Sequence, residues 1–114
     1  MQKKYRIKKS TEIEKVMKRG RSRANSYFII YKCINKEIAN PRLAISVGKK
    51  VGKAFERNKV KRYVRNITIE HLNEINPDYD YFVIARKGVK ELDYAECKYQ
   101  LEQLYKKIGM IPKS

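Results

Sequence analysis

No acidic residue falls between Arg57 and Ile69, a stretch that carries Arg57, Lys59, Lys61, Arg62 and Arg65. Exposed helices usually interleave acids with bases, because opposite charges one turn apart attract and like charges repel. Wound at about 100° per residue, the segment sets Arg57, Lys61 and Arg65 along one edge, with Asn58 and Arg62 beside them, and puts Val60, Val64 and Ile67 on a separate stripe. A chain built around such a helix must bury the apolar stripe against another element and leave the basic edge outside. That edge suits a polyanion. Asn58 both donates and accepts, so it can read a sugar or a base edge, which lysine cannot. The helix is expected from about Phe55 to Ile75.

The whole chain leans the same way. Its 114 residues hold 28 Lys and Arg against 12 Asp and Glu, a formal net charge of +16. Such an excess repels itself in a compact fold unless a polyanion neutralises it. Nucleic acid is the first candidate, through released counterions, and an anionic membrane surface is the second. At 42% hydrophobic and 35% charged, the composition is globular rather than disordered. The length suits a single domain over 1–114, with a basic arm at 1–9 and a short tail at 109–114. No apolar run is long enough for a membrane span. No hydrophobic stretch follows the basic start Met1-Gln2-Lys3-Lys4-Tyr5-Arg6, so neither a signal peptide nor a membrane partner is expected. Cys33 and Cys97 each lie in an apolar-rich segment, outside any Cys-x-x-Cys. Two reduced core thiols are expected, which suits a cytoplasmic setting.

Around the basic helix the chain alternates element types. A short helix is expected from about Thr11 to Arg19, with Thr11 and Glu14 as a capping box, Ile13, Val16 and Met17 as its apolar face and Gly20 as its stop. Asn25 to Ile34 is rich in aromatic and β-branched residues and reads as a strand. Alternation sets Phe28 and Ile30 on one face and Tyr27, Ile29 and Tyr31 on the other. Strands are also expected at Leu43–Val47 and Tyr79–Ala85, the latter with Tyr81, Val83 and Ala85 opposed to Phe82 and Ile84. A last helix should run from Asp93 to Ile108, capped by Asp93 with Glu96 and ended by Gly109, with Tyr94, Cys97, Leu101, Leu104 and Ile108 as its core stripe. The order is α-β-β(-β)-α-β-α: an α+β fold, a two-layer sandwich of a small central sheet with helices.

Several motifs carry no chemistry on inspection. Gly48-Lys49-Lys50-Val51-Gly52-Lys53-Ala54 is one residue short of a P-loop and has Ala54 where a magnesium-binding hydroxyl would stand. It reads as a flexible basic turn, whose Lys49, Lys50 and Lys53 extend the basic surface. His71 reads as a satisfied, partly buried residue rather than a general base. Asp78 and Asp80 read as turn caps rather than cation ligands, and Glu12 and Glu14 suit a helix N-terminus. No nucleophile–base–orienter set and no zinc spacing is present, so neither catalytic residues nor a protein-bound metal is expected.

Ser46-Val47, Lys49-Lys50, then Arg57-Asn58, Lys61-Arg62 and Arg65 resemble in residue type and spacing the signature of the bacterial ribonuclease P protein family. Arg6-Ile7-Lys8-Lys9, Gly20, Ala24-Asn25, Phe28, Tyr31, Leu43 and Ile84-Ala85-Arg86 agree in order, so the resemblance covers roughly residues 5–107. It implies a β-α-β crossover of left-handed sense, against the usual rule. It implies the non-catalytic protein subunit of an endoribonuclease whose RNA subunit cuts the 5′ leader from precursor tRNA, with Mg2+ bound mainly by RNA and substrate. The partners would be that catalytic RNA and precursor tRNA, with no small-molecule substrate. Arg57, Asn58, Lys61, Arg62 and Arg65, with Lys49, Lys50 and Lys53, would face the catalytic RNA. Ile13, Met17, Ile29 and Tyr31, with Arg6 and Lys8, would form the leader cleft. The family often has phenylalanine where Ile13 and Met17 stand, which shifts the expected base stacking toward Tyr31. The competing reading is a ribosomal-type or other structural RNA-binding protein; it would ordinarily carry long unstructured basic tails, which this sequence lacks.

Overall fold

The computed structural model describes residues 1–113. Within them, three α-helices and four strands follow in the order α1 (Ser10–Arg19), β1 (Arg21–Ala24), β2 (Phe28–Ile34), β3 (Arg42–Val47), α2 (Ala54–Glu70), β4 (Tyr79–Ala85) and α3 (Tyr94–Ile108). The sheet order is β1-β2-β4-β3. β2 pairs antiparallel with β1 and β4, and β3 joins β4 in parallel across the α2 crossover. This is the expected α+β order, and the further strand allowed for is β1.

Alternation divides the sheet as the sequence implies. Phe28, Ile30, Leu43, Val47, Tyr81, Val83 and Ala85 face α2 and α3. There they meet Val60, Val64 and Ile67, and Cys97, Leu101, Leu104 and Ile108, in the main core. Each such large side chain contributes roughly 1.5–3 kcal/mol by leaving water. Tyr105, outside the expected stripe, is also buried, and its hydroxyl lies 2.8 Å from Thr68 Oγ1. Tyr94 is only partly buried at the core's edge. On the other face a smaller cluster of Ile7, Val16, Ala44 and Phe82 sits under α1, with Ile13, Tyr31, Cys33 and Ile84 packed against it.

The departures have local causes. α1 is entered at Lys9 with no side-chain cap, so Thr11 and Glu14 do not form the expected box. Arg6 bridges Leu43, and Ile7 N–H donates to Leu43 O at 3.1 Å, which holds the chain extended along β3 and fixes where the helix can begin. Ile7 thus anchors the basic arm. Gly20 ends α1 at φ −84°, so left-handed freedom is not its role. A Cβ there would lie 2.4 Å from Val16 O and 2.5 Å from Lys32 O, so the glycine permits α1 and β2 to touch backbone to backbone. Gly109, by contrast, stops α3 at φ 81°. Asp93 and Glu96 cap α3 reciprocally, at 2.8 and 3.0 Å.

α2 stops at Glu70, short of Ile75. His71 N–H and Leu72 N–H turn back to Thr68 O and Ile69 O, tightening the last turn, while Asn76 donates to Met110 O and Pro77 bars continuation. β2 begins at Phe28, because Asn25 Oδ1 accepts from Tyr27 N–H at 2.9 Å and Phe28 N–H at 2.8 Å. Residues 25–27 are therefore the hairpin loop between β1 and β2. Tyr27 leaves the alternation and packs on the main core, not beside Ile29 and Tyr31. Both thiols are free; Cys97 is buried and its pKa is pushed up to about 11 by burial, whereas Cys33 is only half-buried.

Candidate nucleic-acid interface

α2 presents its basic edge because its apolar stripe is consumed by the core: Val64 and Ile67 expose no surface. The helix is entered through a 3₁₀ turn at Lys49–Val51 whose Val51 is buried. The glycine-lysine segment is therefore an anchored turn rather than a flexible one. Lys53 N–H donates to Glu56 Oε1 at 2.9 Å, closing the first turn of α2. Lys49, Lys50 and Lys53 project into solvent ahead of it, and Asn58 and Arg62 are exposed on it. Arg57, Lys61 and Arg65 are half-buried, and Arg57 Nη1 donates to Gly52 O at 3.2 Å. Among the described residues none of these seven cations is in an ion pair.

The second feature is the sheet face that α1 covers only in part. Register places Cys33, Asp80 and Arg42 on one cross-strand row, Ser22, Tyr31, Phe82 and Ala44 on the next, and Ala24, Ile29, Ile84 and Ser46 on the third. α1 is tied over the first row. Arg42 reaches Asp80 through Nε and Nη2, each at 2.8 Å, and Glu12 on α1 through Nη2 at 2.7 Å. These contacts correct the expectation that Asp80 caps a turn; it is a buried β4 carboxylate held by arginine. Ile29 and Ile84 stay half-exposed on the third row, and Tyr31 lies between them and α1, stacked on Phe82 at 6.3 Å and 26°. Ile13 packs into the small cluster, whereas Met17 is 42% exposed. Register thus sets Tyr31 and Ile29 on the sheet face that α1, which carries Ile13 and Met17, covers in part. Ile84 lies on that face too. Its strand and face were readable from alternation, but its place beside Ile29 needed the β2–β4 pairing.

The two features meet at the edge of β3. Arg65 from α2, Arg6 from the N-terminal arm, and Ile13, Ile7, Ala44 and Ile45 line one depression of about 170 Å³. Lys8 is exposed next to it in sequence. Arg65, at the far end of the basic edge, thus shares this depression with Arg6 of the arm and Ile13 of α1.

Other candidate groups are engaged. His71 caps the C-terminal end of α2. Its Nδ1 lies 2.7 Å from Glu74 Oε2 and its Nε2 bonds Glu102 on α3. Burial opposes its charge, but the two carboxylate bonds outweigh that and hold its pKa above the usual value. Asn76 rather than Asp78 organises the turn before β4, and Tyr81 Oη donates to Asn76 O at 2.9 Å. Among the described residues no three His, Cys, Asp or Glu side chains gather as a ligand set, and no helix is long and apolar enough to cross a membrane.

Comparison with known proteins agrees with the fold. Residues 1–109 match the sequence model of the family described as Ribonuclease P. The ribonuclease P protein component of Geobacillus kaustophilus is 47% identical over 113 residues, 99% of this chain and 93% of that protein. That of Listeria innocua is 42% identical over 113 residues, 99% of this chain and 94% of the other. Among solved structures, the Staphylococcus aureus RNase P protein superposes with a TM-score of 0.90 at 40% identity, covering 94% of this chain and 97% of that one. The Thermotoga maritima RNase P protein gives 0.81 at 34%, covering 90% and 96%. With agreement in sequence, length and fold throughout, the chain belongs to the ribonuclease P protein family, the protein component of an enzyme of tRNA processing.

Proposed function

We propose that the chain binds the RNA subunit of ribonuclease P through the basic edge of α2 and the Lys49–Lys53 turn, and receives the 5′ leader of precursor tRNA in the groove between α1 and the sheet. The observation that supports this reading is the depression at β3, where Arg65 of the basic edge lies with Arg6 of the arm and Ile13 of α1. A single-stranded leader needs an apolar floor for its bases and cations for its phosphates. Ile29 and Ile84 supply the floor, Ile13 and Met17 the wall, Tyr31 a stacking ring, and Arg6 and Lys8 the charge. Asn58, exposed among the cations of α2, supplies the hydrogen-bonding group that can read a sugar or base edge.

The bond broken is the phosphodiester at the leader junction, and the reaction is an endonucleolytic hydrolysis that leaves the mature 5′ end. The RNA subunit carries that chemistry, with Mg2+ held mainly by RNA and substrate. The adjacent carboxylates Asp80 and Glu12 are both held by Arg42, which supports a metal held elsewhere than at this pair. The protein's one imidazole is held on both nitrogens. The protein's part is binding, orientation and charge neutralisation, in the cytoplasm, with no small-molecule substrate.

Affinity for the RNA subunit tests this. Arg57→Ala, Lys61→Ala and Arg65→Ala should each weaken it and lower the slope of log affinity against log salt by about one unit or less. Unchanged affinity in all three, with circular dichroism intact, would place the RNA surface elsewhere.

A further inference from the structure

At the opposite sheet edge from β3, a second group of cations shares one hollow. Lys15 and Arg19 of α1, Arg21 of β1 and Lys32 of β2 line it, with Tyr79 on one side; its volume is about 500 Å³ and no carboxylate borders it. None of the four cations is in an ion pair among the described residues. Arg21 and Lys32 stand directly opposite each other in the β1–β2 pair, a position in which like charges destabilise a sheet. The Lys32 ammonium is held 4.6 Å from the centre of the Tyr79 ring. Burial, and then Arg21 and Arg23, press its pKa below the usual lysine value.

Edge strands often carry charge to keep other sheets from pairing with them. Arg21 and Arg23 on β1 do that unaided. It does not account for Lys15 and Arg19 on a helix; Lys32, on an inner strand, lies over the Tyr79 ring with its Nζ beside Gly109 at the end of α3. What the four share is the hollow.

We propose that this hollow is a phosphate site for an RNA backbone, separate from the surface of α2. The inference rests on the RNA-binding reading above. β1 lies three strand spacings from β3, about 14 Å, and Arg65 reaches the sheet at β3, so one phosphate does not serve both places. A phosphodiester in the hollow gives the Arg19 and Arg21 guanidinium groups a planar, multidentate acceptor. It also supplies the negative charge that the Arg21–Lys32 pair lacks. The same chemistry is offered by the RNA subunit and by upstream nucleotides of a long leader.

The test uses the full chain with ribonuclease P RNA, and the reconstituted holoenzyme with precursor tRNAs of short and long leader. Arg19→Gln/Arg21→Gln removes two exposed charges, and Lys32→Gln removes the inner one. Lys98→Gln/Lys113→Gln removes the same charge from the α2–α3 seam and the tail. At about 0.1 M salt the Arg19/Arg21 variant should lose about tenfold in affinity for one of these RNAs, with the salt slope smaller by roughly 1.4–1.8. Lys32→Gln should move the same way, and the control should change less than about twofold. Loss confined to the RNA subunit names it as the source, and loss that grows with leader length names the leader. Unchanged affinities in both arms, or an equal loss in the control, overturn the site. Failure of the unaltered protein to bind either RNA overturns the underlying reading, and the site with it. Circular dichroism melts accompany each variant, and an RNA loss without a lowered melting temperature is the result expected.

Discussion

Arg42 decides how firmly α1 is held over the sheet. Its guanidinium makes two 2.8 Å bonds to Asp80 and one 2.7 Å bond to Glu12. Asp80 is 5% exposed, and its remaining side-chain partner is Asn35 Nδ2 at 3.0 Å. Arg42→Met preserves length and removes the charge, leaving Asp80 buried against one amide donor. Breaking a buried pair from one side costs about 3–5 kcal/mol; with the Asn35 bond intact the expected loss is near 3. A domain of this length is stable by roughly 6–17 kcal/mol in total, so the loss is easily read as a shift in the urea midpoint at constant slope. Glu12→Gln should cost less than about 1 kcal/mol, because that side chain is 35% exposed and water screens it. Adding Asp80→Asn to Arg42→Met removes the orphaned charge and should restore about 2 kcal/mol. Because Glu12 rides on α1, Glu12→Gln should also weaken binding of leader-bearing precursor tRNA a few-fold and leave mature tRNA unaffected. A loss below about 1 kcal/mol for Arg42→Met, or a double variant as unstable as the sum of its parts, would refute the claim that this pair holds the wall of the groove.

Gly20→Ala forces a Cβ against two backbone oxygens and should destabilise by roughly 1–3 kcal/mol in urea unfolding; a loss within a few tenths would mean that the close α1–β2 approach is dispensable. His71 has a raised folded pKa, so its contribution is fully present below its unfolded value, about 6.5, and is lost as pH rises through the folded one. The melting temperature should therefore fall as pH climbs from about 6 to about 8, and His71→Gln should flatten that fall; a difference between the two proteins that ignores pH would contradict the assignment. Tyr31→Leu keeps apolar packing on Phe82 but removes the ring. It should weaken leader-bearing precursor tRNA by about 1–3 kcal/mol, roughly five- to 150-fold, with mature tRNA nearly unchanged. Met17→Phe should keep or improve leader affinity. Equal losses for both tRNAs on Tyr31→Leu would remove the groove assignment.

What the sequence makes legible is what depends on period. The Val60–Val64–Ile67 stripe, the Asp93–Glu96 cap and the split of Tyr81 and Val83 from Phe82 all stand in the structure, because 3.6- and 2-residue repeats are local properties. What it hides depends on partners distant in the chain. β1 reads Arg-Ser-Arg-Ala, with no apolar alternation, since it is an exposed edge strand that owes its form to pairing with β2. The start of α1 is not legible, because the Ile7–Leu43 bond, not a local hydroxyl, fixes the helix entry. Asp80 reads as a turn residue in the sequence, whereas its partner is Arg42, 38 positions away. The candidate site divides the same way: the basic edge of α2 is visible in one segment, whereas the proposed groove needs α1, β2 and β4 brought together.

In the proposed function the protein binds and neutralises while an RNA subunit cuts. The most direct measurement mixes the protein with ribonuclease P RNA and precursor tRNA across a magnesium titration, beside RNA alone and nuclease-treated protein alone. Leader removal by the mixture at magnesium concentrations where the RNA alone is inactive, with the protein alone inert throughout, is the result expected. Cleavage by the nuclease-treated protein alone, or the same magnesium requirement with and without it, would contradict the claim.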